Sequence, residues 1–220
     1  MKKPAGISAA GFNNKKDYIE ANEVETMELE LLKSAMSAAV NMDAQTFNLS
    51  LPYWKSKQYK KGEFYNEYHN VCKHLGFIIH GVFRIYRADE KTNEEKNMLF
   101  FSKHQFVASY TSFLSQIPCN YYTASVDTSM VLYIHIDHLS KLYRESHQWE
   151  RFGRYIAENA FHQLMANTEG FLFKTAEQRY LDMMEKHPDI FNAVPVYHIA
   201  SYLGIQAPSL SRIRKRMAGK

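Results

Sequence analysis

Apolar side chains recur with two different periods along this chain, and the changes of period divide it. Over residues 18–42 they fall three or four apart, at Val24, Met27, Leu31, Ala35 and Ala38, the stripe of one helix face. Glutamates crowd the first half of that stretch, where the helix dipole favours them. Residues 1–16 are mostly Gly, Ala, Ser, Asn and Lys without a period, the pattern of a mobile tail. A short second helix is expected over residues 43–51, ended by Pro52.

From Trp54 the pattern changes to short apolar runs. Lys60-Lys-Gly-Glu63 is a turn signal. Residues 75–81 and 82–86 read as two strands around Gly81, with 89–96 a polar hairpin tip. Residues 97–101, 106–109 and 130–134 read as further strands. Short strands between turns predict a roll or sandwich. The 15 Tyr and 14 Phe fit β-structure with aromatic packing.

After Ile136 the helical period returns, in a short helix over 137–145 and a long one over 148–171. In the long one Trp149, Phe152, Ile156, Ala160 and Leu164 share a stripe, and Tyr155, Phe161 and Met165 widen it. A helix apolar over more than one stripe has to bury more than one side. One side is assigned to the roll and another to a second copy of the chain. The expected seam is Phe152, Ile156, Asn159, Ala160, Gln163 and Leu164, its polar members fixing register together with Asn167. The alternative is a plain core helix. Residues 171–175 are a candidate hinge, and 176–186 a further helix ended by His187-Pro188.

The most specific pattern comes last. Pro195 fits the start of a helix, Ile199 and Leu203 share a face, and Ala200 admits a close neighbour. Gly204 fits the left-handed residue that ends a helix. Ala207 and Pro208 fit the first turn of the next, which Leu210 and Ile213 anchor. This is the spacing of a helix-turn-helix whose second helix enters the major groove. The residues expected to meet DNA are Gln206, Ser209, Ser211, Arg212, Lys215 and Arg216. A C-terminal helical hairpin with a solvated basic end is the alternative.

Net charge is +4 over 220 residues, a mild bias that matters because the cations gather at the C-terminal end. Cys72 and Cys119 are too few for a disulfide framework or a four-cysteine metal site, and read as free thiols. The ten histidines form no convincing ligand set: His69, His74 and His80 lack a helical pair with a third ligand, and His135 and His138 span a strand–helix junction. No metal, cofactor or enzyme motif is read, and no long apolar run or leader; the expected compartment is the cytoplasm.

Several of these runs resemble the Crp/Fnr family of transcription regulators. Ala200-Ser-Tyr-Leu-Gly-Ile205 with Leu210-Ser-Arg-Ile-Arg-Lys215 is similar to that family's DNA-binding end. Lys60-Lys-Gly-Glu63 with Phe77-Ile-Ile-His-Gly-Val-Phe-Arg84 resembles the opening of its β-roll, and Ala176-Glu-Gln-Arg-Tyr-Leu181 the helix that opens its DNA-binding domain. The resemblance spans about residues 43–216. It implies an α+β fold: an antiparallel β-roll, a long dimerisation helix, and a winged-helix-like helix-turn-helix domain with a reduced or absent wing, since the sequence stops shortly after Met217. The implied units are a tail and helix (1–42), a cyclic-nucleotide-binding-like roll (43–146), the dimerisation helix (147–172) and the DNA-binding domain (173–220). The implied function is transcription regulation by a homodimer on double-stranded DNA, with RNA polymerase and an unknown small effector as further partners and no membrane. A ligand-binding or protein-interaction module with a purely structural helix-turn-helix is the alternative.

In cyclic-AMP-binding relatives a Gly-Glu pair holds the ribose and an Arg-Ser/Thr-Ala run the phosphate. The resemblance sets these on Ala108-Ser109 and on Cys119-Asn120-Tyr121, so the carboxylate and the guanidinium are both missing. Cyclic AMP is therefore not the expected ligand. Ala108, Ser109, Tyr110, Thr111, Cys119, Asn120 and Tyr121 are the candidate effector pocket. The family's base-reading helix start falls on Ala207 and Pro208, and only Arg212 keeps its counterpart, so a different DNA sequence is expected.

Overall fold

A computed structural model describes the chain from Lys15 to Ala218, with side chains from Thr26 to Met217. The expected tail lies outside the described residues, apart from Lys15 and Lys16, which begin helix α1 (Lys15–Val40). This helix buries Leu32, Met36 and Val40, whereas Met27, Leu31 and Ala38 of the expected stripe are exposed. Apolar residues occupy two adjacent stripes here, and tertiary packing rather than period chooses between them. Asp43 then caps the short α2 (Ala44–Asn48), accepting the Thr46 N–H at 2.8 Å, and a 3₁₀ turn (Leu51–Tyr53) leads into the strands.

Among the described residues, eight strands form two antiparallel four-stranded sheets. One has the order β1 (Lys55–Tyr59), β8 (Ser129–His135), β3 (His74–His80), β6 (Phe106–Val107). The other has the order β2 (Phe64–Asn66), β7 (Tyr122–Ser125), β4 (Phe83–Ala88), β5 (Glu95–Phe101). A short helix α3 (Tyr110–Ser115) sits between β6 and β7. The alternation of side chains gives the first sheet two buried faces. Tyr59, Ile78 and Val131 meet Phe83 of the other sheet, while Leu75, Phe77, Leu132 and Ile134 meet helices. Between β3 and β4 the chain turns at Gly81, with φ +94°, and a Cβ there would lie 2.0 Å from Ser129 Oγ. No other residue fits both the backbone and the space.

Those helices are α1, α4 (Ile136–Glu145) and α5 (His147–Phe173). Leu139 and Leu142 of α4 join Trp149, Phe152 and Ile156 of α5 in one core with α1 and the sheet. Trp149 Nε1 donates to the Thr46 carbonyl at 3.1 Å, which fixes α5 to α2. Beyond Ile156 the same helix leaves this core: Phe161, Leu164, Met165, Phe171, Leu172 and Phe173 are exposed.

Two residues, Lys174 and Thr175, join α5 to α6 (Ala176–Lys186), which starts in a capping box between Thr175 and Gln178. Then come α7 (Pro188–Ala193), α8 (Val196–Tyr202) and α9 (Ala207–Ala218). Tyr180, Met183, Ile190, Val194, Ile199, Leu203, Leu210 and Ile213 form their core, to which Val82, Phe100 and Val126 of the roll belong as well. Among the described residues no helix is long and apolar enough to cross a membrane.

Candidate nucleic-acid interface and effector cradle

The turn between α8 and α9 is built by backbone bonds. Gly204 N–H donates to Ser201 C=O at 3.1 Å and Ile205 N–H to Ala200 C=O at 3.0 Å. These are the two bonds of a Schellman motif around a left-handed residue, and Gly204 has φ +68°. A Cβ on Gly204 would lie 3.0 Å from Phe171 Cε1, so this turn also abuts the end of α5. Leu210 and Ile213 are buried beneath α9, as the spacing predicts.

The outward side of α9 is cationic. The helix carries Arg212, Arg214, Lys215 and Arg216 and no acid. Arg212 and Lys215 are exposed and make no ion pair among the described residues. Arg216 donates from Nη2 to Glu177 Oε2 of α6 at 2.7 Å, and Ser211 Oγ donates back to the Ala207 carbonyl at 3.1 Å. Gln206 is exposed and Ser209 half-buried at the head of the helix. The six sequence-predicted residues lie on α9 and the turn before it, and Arg212 and Lys215 are the cations among them without an ion pair among the described residues. Arg214, absent from that set, is half-buried with its guanidinium over the Phe191 ring at 5.0 Å.

Two arginines hold this unit in place. Arg179 of α6 donates from Nη2 to Leu203 C=O at 2.7 Å and from Nη1 to Lys174 C=O at 2.6 Å, joining the turn to the end of α5. Its guanidinium lies over Phe171 at 4.9 Å. Arg84 of β4 is buried against α8. Its Nη1 reaches Glu95 Oε2, Asn97 Oδ1 at 3.1 Å and His198 Nδ1 at 3.1 Å. Asn97 Nδ2 also lies 3.2 Å from His198 Nδ1, so this nitrogen accepts and the ring is neutral with its proton on Nε2. Burial first, and the Arg84 charge second, push the His198 pKa down to about 4. Ser201 Oγ completes the junction, accepting from Asn97 N–H at 3.0 Å and donating to Glu95 C=O at 2.8 Å. Sequence reading missed Arg84, His198 and Arg179, since each acts on a partner distant in the chain.

The cradle is closed by its own side chains. Ala108, Ser109 and Cys119 are buried. Ser109 Oγ pairs with Thr123 Oγ1 at 2.9 Å, and Cys119 Sγ donates to the Tyr121 carbonyl at 2.9 Å and accepts from Asn66 Nδ2 at 3.0 Å. Tyr110 and Tyr121 are half-buried, and Thr111 and Asn120 exposed. Across α3, Ser112 Oγ accepts the Cys72 N–H at 3.0 Å and Gln116 Nε2 donates to Cys72 C=O at 3.1 Å, seating the helix on the segment that leads into β3. Burial raises the Cys72 thiol to about 11, which leaves it protonated and unreactive at neutral pH. Ser109 and Cys119 occupy the positions that the resemblance gives to the carboxylate and the guanidinium.

On α5 the expected seam divides. Phe152 and Ile156 lie in the chain's own core, in contact with the roll. Asn159 and Leu164 are exposed, and Ala160 and Gln163 half-exposed. The free apolar surface starts one turn later than the spacing implied, because the roll takes the stripe of Trp149, Phe152 and Ile156 for itself.

A β-roll, a long helix and a helix-turn-helix in this order define the architecture of Crp/Fnr-type regulators. No family model matches the chain, and no curated protein matches it by sequence. Solved structures do. It is similar to FixK2 from Bradyrhizobium japonicum at 15% identity and a TM-score of 0.65, covering 76% of this chain and 85% of that one. It is similar to the c-di-GMP-responsive global regulator CLP of Xanthomonas campestris at 16% identity and 0.61, covering 80% and 92%. A protein from Eubacterium rectale described as a Crp/Fnr-family transcriptional regulator matches at 14% and 0.63, covering 81% and 84%. The chain has the Crp/Fnr fold.

Proposed function

We propose that the protein is a dimeric DNA-binding transcription regulator of the Crp/Fnr type. It reads DNA with α9, is joined in pairs through the second half of α5, and acts in the cytoplasm together with RNA polymerase. Its working units are the roll (43–146), the paired helix (147–172) and the DNA-binding end (173–220). It is not an enzyme in this reading, and its effector is not cyclic AMP. The observation that carries the proposal is the pair Arg212 and Lys215, exposed and unengaged on a helix seated by a Schellman turn. Cations held free on the outer side of such a helix have a ready use in phosphate and base contacts.

A two-fold dimer sets its two recognition helices about 34–36 Å apart, and the preferred site is a near-palindrome. The test is selection of bound duplexes from a random pool, followed by competition of selected against random DNA at two salt concentrations. Enrichment of an inverted repeat supports the proposal. Failure to enrich any sequence, with no salt-dependent binding, returns the chain to the alternative of an interaction module with a structural helix-turn-helix.

A further inference from the structure

The roll holds a cavity that its cradle does not use. It measures about 480 Å³ and lies at one end of the sheet β1-β8-β3-β6, on the face turned toward the other sheet. None of the cradle residues lines it. Cross-strand pairs build its wall: Lys55 stands opposite Tyr133, and His74 opposite His135. Gly76, also opposite Tyr133, makes room for the Tyr65 ring. A Cβ there would lie 2.7 Å from Val131 Cγ1 and 3.0 Å from the Tyr65 hydroxyl, which crosses over it to donate to His74 C=O at 2.9 Å. Tyr53 and His138 stack at 4.4 Å and complete the lining.

The chemistry of this lining is one-sided. It contains two lysines and three histidines and no carboxylate. The acids nearby are Glu63, paired with Lys57 at 2.9 Å, and Asp137, 3.4 Å from His135 Nδ1. Lys55 has no carboxylate partner among the described residues. The His74 pKa is lowered by burial and then by His135, Lys55 and Lys73, so the local field is positive. Donors are available. Asp137 N–H donates to His135 Nδ1 at 3.2 Å, which leaves the neutral ring its proton on Nε2. The Tyr59 and Tyr133 hydroxyls make no hydrogen bond to protein among the described residues. Aromatic walls accept a flat ring and cations with free donors accept an anionic group. The volume falls within the roughly 300–1,000 Å³ of small-molecule sites.

We propose that this cavity binds a small planar aromatic acid, its ring among Tyr59, Tyr65 and Tyr133 and its anionic group toward Lys55, His74 and His135. The site extends the effector reading above, but binding there does not depend on DNA recognition.

The test is calorimetry on the full chain with 1-naphthoate and its neutral isostere 1-naphthamide. Saturable submillimolar binding of the acid is expected, with the amide about tenfold weaker or more. Lys55→Gln changes an exposed residue and leaves the fold intact by circular dichroism; it is expected to weaken the acid about tenfold and leave the amide unchanged. Tyr133→Phe removes only a hydroxyl and weakens the acid as well. In proton NMR, saturation with naphthoate raises the His74 pKa. No saturable binding of naphthoate below about 5 mM overturns the proposal. So does equal binding of acid and amide, or an affinity that Lys55→Gln leaves untouched. Arg212→Ala abolishes DNA selectivity under the regulator reading and is without effect in this titration, so the two readings fail separately.

Discussion

Arg212 and Lys215 sit three residues apart on the same helix, yet they are suited to different work. Arg212 is one turn into α9, where a planar fork reaches a base edge, and bidentate contact with guanine discriminates by roughly 1–3 kcal/mol. Lys215 lies further along, where a point charge meets phosphate. Arg212→Ala is therefore expected to relax preference at one position of each half-site. Lys215→Ala weakens all sequences alike and lowers the salt slope by about one phosphate per subunit. Competition at two salt concentrations separates them, and an equal loss for both duplexes in Arg212→Ala would make Arg212 a phosphate contact. Arg216 is tied to Glu177 in a partly exposed pair, which under the proposed function is exchanged for phosphate at little cost. In the cradle, Ser109 and Cys119 leave a cyclic phosphate without a charge partner. A charge-assisted hydrogen bond is worth about 1.5–3 kcal/mol, so calorimetry with cyclic AMP is expected to show no micromolar binding.

At the scale of elements, the junction of α8 with β5 is where the roll and the helix-turn-helix meet, and it titrates. Facing His198 are Arg84 and Asn97, then Glu95, Lys61 and the adjoining Tyr197 ring. A base whose folded pKa is depressed binds its proton more readily when unfolded. Its contribution to stability is therefore complete above about 6.5 and is lost as pH falls toward about 4. The loss is at most about 1.4 kcal/mol per pH unit. His74 and His187, also depressed by burial, act in the same direction. Urea denaturation between pH 7 and pH 4 measures the sum. His198→Asn, which keeps an acceptor in place of Nδ1, is expected to flatten the part due to His198.

Which elements were legible follows from what they bury. β3, β4, β5 and β8 place aliphatic and aromatic residues in a core and read as strands. β1 is Lys-Ser-Lys-Gln-Tyr, because its inner side chains line an open polar cavity and need not be apolar. β7 is Tyr-Thr-Ala-Ser, and its buried hydroxyls satisfy one another through Ser109 and Ser129. Neither offers a hydrophobic signal. Arg84 reads as a polar residue in a strand, although it is buried, since its partner His198 is 114 positions away. The helix-turn-helix was legible down to its glycine, because local spacing alone builds it. The α5 seam was legible as a two-sided helix, but not as to which side the roll would claim.

For the whole molecule, the bare half of α5 is the surface that the proposed dimer uses. Leu164 is 61% exposed and Phe161 60%, on a helix whose other half is rooted in the roll. Leu164→Glu is expected to give a monomer by light scattering with the melting of the roll unchanged, since nothing inside the chain depends on that side chain. DNA binding should fall in step. A melting temperature several degrees lower would instead place Leu164 in the chain's own core.

In the proposed dimer, the same exposed half-helix makes abundance an input. A complex assembled from two separate chains on one DNA site forms, at low concentration, in proportion to the square of the amount of protein. Halving the number of copies then lowers occupancy to about a quarter of its former value, by mass action alone. Under the proposed function, dilution of the protein through growth would then lower occupancy of its sites with no change of effector.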